Sequence, residues 1–140
     1  MAVTSTTLTA GSAVSQPAST LRRTTVVAGL VGAAITTAAA AAVHAAGVSF
    51  EIEGEMIPIV GFAQMTLIGA VLGGLILAVL NRRSSTAHRH FVGTAVALTA
   101  LSCVPSIAMP DDAGTQIALV ALHVLAAAII VPALARHART

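Results

Sequence analysis

His123 lies inside an apolar run of about 20 residues, and an ionisable side chain inside a membrane span is by default a candidate functional group. A neutral imidazole can bind a metal, relay a proton or accept a hydrogen bond from a ligand. Counting 1.5 Å per residue inward from the ends next to the acidic loops, His123 is about 10 Å deep in its run and Gln64 about 9 Å deep in another. Ser102, Cys103 and Ser106 fall in the same half of a third run, and His44 stands near the corresponding end of a fourth. His123, Gln64, Ser102, Cys103, Ser106 and His44 together form a candidate polar pocket in one half of the membrane. The competing account is packing, with His123 bonded to Gln64, a serine or a carbonyl, in a contact worth about 0.6 kcal/mol and at most roughly 1.7. His44 and His123 reach matching depths, as a haem would require, only if the first helix continues to Phe50.

Glu51, Glu53 and Glu55 are the second chemistry-bearing group, a candidate external acidic mouth that could collect cations. Their alternation points one way in an extended strand, whereas a solvated loop needs no ligand. No catalytic set converges: nucleophile, base and oxyanion donors are not found together, and no Gly-rich phosphate loop is present. Cys103 is the only cysteine, which excludes an internal disulfide, a dithiol redox pair and any multi-cysteine metal site. The sequence implies neither a metal nor a cofactor.

These residues are carried by a chain too apolar to be a water-soluble domain. Of its 140 residues, 56% are hydrophobic and 9% charged, against roughly a quarter charged in an ordinary globular chain. Mean hydropathy is +0.93. A net charge of +2, built from seven arginines, no lysine and five acids, offers no phosphate-tracking patch, so nucleic acid is excluded as a partner. The expected surroundings are a lipid bilayer, with a homo-oligomer or another membrane protein as the possible partner.

A transmembrane helix needs about 20 apolar residues. Four stretches without Asp, Glu, Lys or Arg meet this: about 25–46, 57–80, 91–109 and 116–135. The connectors are short, which predicts an all-α fold, a four-transmembrane-helix antiparallel bundle. Arg22 and Arg23 precede the first helix, Arg82, Arg83 and Arg89 follow the second, and Arg136 and Arg139 follow the fourth. All arginines thus fall on one side and all acids on the other. Arginine collects on the cytoplasmic side of short loops, so both termini are placed in the cytoplasm of a multi-pass cell-membrane protein. Residues 1–23, rich in Ser, Thr and Ala, read as a disordered cytoplasmic tail, and 24–140 as the membrane domain. Thr20-Leu21-Arg22-Arg23-Thr24 before an Ala-rich stretch also resembles a twin-arginine export signal. The stretch of about 22 residues exceeds the 7 to 15 of a signal core, so helix one is expected to be kept.

Small residues recur at helical spacing: Gly29, Ala33, Thr37 and Ala41; Gly69 and Gly73 beside Ala70 and Gly74; Gly93, Ala97 and Ala100; Ala126 and Ala127. Such stripes let backbones approach closely in lipid. Pro105 and Pro132 interrupt apolar runs, and each frees a carbonyl one turn back, which at Pro105 the neighbouring Ser102, Cys103 or Ser106 could satisfy.

The run Gly54-Glu55-Met56-Ile57-Pro58-Ile59-Val60-Gly61-Phe62-Ala63-Gln64, the run Thr99-Ala100-Leu101-Ser102-Cys103-Val104-Pro105 and the histidine of Ala121-Leu122-His123 resemble an uncharacterised family of small four-helix membrane proteins from actinobacteria. The resemblance spans about Arg22 to Arg136 and implies a four-pass membrane domain without an assigned activity. It also implies an acid directly after the Val-Pro pair in relatives, where this chain has Ser106. Small multidrug exporters share only the helix count, because they use an intramembrane glutamate and aromatic residues. Three function classes follow in order: a structural or interaction subunit, a small-ligand, ion or proton-handling protein using the polar pocket, and last an enzyme.

Overall fold

The computed structural model describes residues 18–110 and 112–140. Four helices follow one another: α1 (Ala18–Ala45), α2 (Ile59–Arg83), α3 (Ala87–Ala108) and α4 (Ala113–Ala135). At 1.5 Å per residue they are roughly 33 to 42 Å long, and all four are long and apolar enough to cross a membrane. The expected tail lies outside the described residues up to residue 17, and from Ala18 onward it is helix. Charge ends an apolar run but not a helix. Arginine is a good helix former whose stem lies along apolar surface, so α1 runs through Arg22 and Arg23 and α2 through Arg82 and Arg83. The two arginines closing α2 also face the negative end of its dipole.

Local signals set the ends. Gly47, at φ 104°, terminates α1, with its N–H donating to the His44 carbonyl at 2.9 Å and Val48 N–H donating to that of Val43 at 3.3 Å. This is a Schellman closure, which favours glycine because the backbone there is left-handed. Pro58 caps α2, where a missing N–H costs nothing. Asp112 caps α4, its Oδ1 accepting from Thr115 N–H at 2.8 Å, so α4 opens three residues before the apolar run at Gln116.

The connector after α1 is a β-hairpin, β1 (Glu51–Ile52) with β2 (Glu55–Met56), paired Glu51 to Met56 and Ile52 to Glu55. Its two turn residues, Glu53 at φ 54° and Gly54 at φ 81°, form the doubly left-handed turn that matches strand twist. Ile52 also bridges to Pro110.

Two core clusters hold opposite ends. Phe50, Ala40, Ala118, Leu119 and Leu122 pack under the hairpin, and Phe50 and Phe62 meet edge to face at 5.1 Å. Ala70, Leu77, Phe91, Ile130, Leu134 and Ala135 fill the other end. A polar seam lies beside that second cluster. Thr24 Oγ1 bonds His137 Nε2 at 2.9 Å, Asn81 Nδ2 donates to the His137 carbonyl at 2.9 Å, and His88 N–H donates to the Arg139 carbonyl at 2.9 Å.

α1 and α2 meet over small residues. A Cβ on Gly29 would lie 3.0 Å from Ala70 Cβ, and one on Gly74 would lie 2.5 Å from Thr25 Oγ1. Of the expected stripes, Gly69 and Gly93 instead face open space. Thr36 and Thr66 hydroxyls bond across this interface at 2.9 Å, and Thr66 Oγ1 reaches the Phe62 carbonyl at 2.7 Å. Thr36 Oγ1 likewise reaches the Gly32 carbonyl of its own helix at 2.8 Å, so each hydroxyl has an acceptor on its own helix beside the hydroxyl of the other. The outward surface of the helices is apolar, with Val60 and Ile117 each 70% exposed and Met65 and Leu101 each 66%. Such a surface suits lipid and not water.

The α4 cap carries a pH signature. Thr115, whose hydroxyl and N–H lie beside the carboxylate, holds Asp112 below its ordinary value of 3.8. Only the N–H meets hydrogen-bond geometry, and it is the contact that caps the helix. A lowered folded-state value means the cap's contribution is present above the unfolded value and lost as pH falls through the folded one. The wild-type melting temperature in detergent is therefore expected to fall slightly below pH 4, and that of Asp112→Asn to lack this component. Equal pH profiles for the two would contradict the assignment.

Candidate functional site

His123 stands on the flank of α4 and is half-buried. Its Nδ1 lies 2.9 Å from the Leu119 carbonyl, one turn back on the same helix. A carbonyl only accepts, so Nδ1 carries a proton and donates it. Gln64 is on the exposed face of α2, and the structure shows no hydrogen bond between it and His123 among the described residues. Of the packing partners expected for His123, which are Gln64, a serine or a carbonyl, the structure shows the carbonyl.

The serines of α3 also bond within their own helix. Ser102 Oγ donates to the Leu98 carbonyl at 2.8 Å, and Ser106 Oγ to the Ser102 carbonyl at 3.2 Å. Neither bonds to the carbonyl of Leu101, the one freed by Pro105, because a serine in a helix reaches the carbonyl four residues before itself. Ser106 is 6% exposed, Cys103 is half-buried and Ser102 is exposed. His44 is exposed near the end of α1, with Nδ1 2.9 Å from the Val48 carbonyl and its ring stacked on Phe50 at 6.4 Å. Because α1 stops at Ala45, the longer helix needed to match His44 with His123 does not form.

The acidic mouth has a different shape from a one-faced strand. Paired residues in an antiparallel ribbon share a face and neighbours alternate, so Glu51, paired with Met56, and Glu55, paired with Ile52, point to opposite faces. Glu53 occupies the turn. The turn between the strands resets the alternation, and the three carboxylates, all exposed, do not converge. Among the described residues no group of three His, Cys, Asp or Glu side chains is placed to hold a metal.

An open groove of about 360 Å³ lies between α3 and α4, lined by Ile107, Gln116, Ile117, Val120 and Ala121. Gln116 Nε2 donates out of it to the Pro110 carbonyl at 3.2 Å, which leaves the groove apolar. Two polar features had little sequence signal. Asn81 and His137 read as connector residues next to arginines, yet they tie α2 to the chain after α4. The Thr36–Thr66 contact is also interhelical, although threonine in a span is ordinarily explained by bonding to its own backbone.

Replacing His123 by Gln should leave the melting temperature in mild detergent nearly unchanged, because the ring's one bond is to its own helix. A shift of more than about 1 kcal/mol would exceed the average worth of such a contact and show that the ring holds two helices together.

The family model described as a family of unknown function (DUF6069) matches residues 16–140. No curated protein and no solved structure matches the chain. Four apolar helices fit a membrane protein of unknown activity, and the chain belongs to the family of unknown function DUF6069.

Proposed function

We propose that this chain is a four-helix antiparallel bundle in the cell membrane, with both termini cytoplasmic, that serves as a structural or interaction subunit. The observation that carries the reading is where its membrane-embedded polar groups are used. Thr36 and Thr66 meet between α1 and α2 while each also bonds a carbonyl of its own helix, and Thr99, Ser102, Ser106 and His123 bond carbonyls of their own helices. Polar groups used in this way build a scaffold and leave an apolar exterior for lipid or a partner helix. Antiparallel order is supported by the polar seam joining the start of α1, the end of α2, the start of α3 and the chain after α4. The arginines stand at that same end, which supports its cytoplasmic placement.

A second reading, handling of a small ligand or proton, is favoured by one feature, the Nε2 of half-buried His123, for which the structure shows no hydrogen bond among the described residues. Native mass spectrometry of the chain purified from its own membranes distinguishes the two. A stoichiometric complex with a second protein chain or a second copy is expected. Release as a single chain carrying a small molecule, with that adduct lost in His123→Gln, would replace the first reading by the second.

A further inference from the structure

The exposed face at the start of α1 combines charge and apolar surface in one stripe. Ser19, Arg22, Arg23, Val26 and Val27 line an open concavity of about 340 Å³. Val26, Val27 and Leu30 are 59%, 52% and 57% exposed and continue the stripe toward the middle of the helix. In a helix, residues three and four apart lie one above the other, so two guanidinium groups and a serine hydroxyl sit directly over a valine floor. No side-chain carboxylate among the described residues is available to Arg22 or Arg23: Glu51, Glu53, Glu55 and Asp112 all lie in connectors at the far end of the helices.

We propose that this stripe binds an anionic phospholipid, with the phosphate on Arg22, Arg23 and Ser19 and an acyl chain along Val26, Val27 and Leu30. Guanidinium groups present forked donors that match phosphate oxygens. The apolar floor selects a lipid over free phosphate, because the phosphate alone would leave the valines uncovered. The proposal rests on the membrane placement above, and it makes this end of α1 the place where the bundle discriminates among lipids. Other arginines at the same end contribute to the general field, but the concavity is confined to α1.

The test is native mass spectrometry of the full chain in mild detergent with phosphatidylglycerol, phosphatidylcholine or inorganic phosphate added. Wild type should retain phosphatidylglycerol in preference to phosphatidylcholine, and inorganic phosphate should not compete. The pair R22Q/R23Q should weaken phosphatidylglycerol binding about 30-fold, from about 1 kcal/mol for each arginine near an anionic surface. R22K/R23K should keep most of the preference, and R82Q/R83Q should lose clearly less of it than R22Q/R23Q. Equal retention of the two lipids by wild type, equal losses in both glutamine pairs, or displacement by inorganic phosphate would each overturn the proposal. Equal retention of both lipids by wild type and every variant would leave the membrane placement intact while the anionic site fails, so the two failures are distinguishable.

Discussion

Replacing Phe50 by alanine is expected to destabilise the folded chain by about 3 to 5 kcal/mol, the range for removing a fully buried aromatic side chain. Phe50 is 0% exposed, although it lies in a connector and not in a span. It fills the space under the hairpin against Ala40, Ala118, Leu119 and Leu122 and is met edge-on by Phe62. Outside the hydrocarbon core, water is the alternative surrounding for this ring, so the full hydrophobic transfer applies as well as the cavity. Its backbone is at φ 53°, where a side chain is disfavoured. Phe50→Gly should accordingly be no less stable than Phe50→Ala despite the extra chain entropy glycine carries. Reversible unfolding in mixed micelles measures both. A loss below about 1 kcal/mol for Phe50→Ala would mean that the hairpin end is not a packed cap.

Gly74→Ala is the second large effect, and here the cause is crowding. A Cβ at Gly74 would meet Thr25 Oγ1 at 2.5 Å, Cγ2 at 2.8 Å and Cβ at 3.2 Å. Thr25 is branched at Cβ, so rotating the side chain exchanges one close atom for another, and its hydroxyl is tied to the Leu21 carbonyl at 2.9 Å. Overpacking of this kind costs about 1 to 3 kcal/mol, and in lipid it also removes the close approach that holds helices together. Thr25→Ala should restore most of the loss. A double variant as unstable as Gly74→Ala alone would place the strain somewhere other than this contact.

The helices were legible in the sequence because lipid imposes a single length and polarity rule on each, and the four apolar runs satisfy it. Helix ends were less legible because two different signals compete there. Arg22, Arg23, Arg82 and Arg83 end the apolar runs but favour helix, so α1 and α2 extend beyond them. At α4 the cap by Asp112 outweighs the polar character of Gly114 and Thr115. The hairpin was hidden because its strands are only two residues long, too short for alternation to register, and its signal was the Glu53-Gly54 pair alone.

The candidate pocket rests on depth along the spans, and depth does not fix azimuth. Gln64 and His123 lie at similar depths, but the direction of each side chain depends on which face of its helix packs, and Thr66 and Ala70, not Gln64, mark the buried face of α2. On α4, Leu119 and Leu122 take the core and His123 the flank. Ser102, Ser106 and His123 then find their nearest acceptor, a carbonyl one turn back on their own helix.

The central claim is a bundle whose arginine end is cytoplasmic and whose acidic hairpin is external, and thiol labelling in intact cells tests it most directly. On a Cys103→Ala background, Glu53→Cys and Ser85→Cys place one thiol at each end. A membrane-impermeant reagent added outside should label position 53, and should label position 85 only after the membrane is opened. Labelling of position 85 but not 53 in sealed cells would contradict the account.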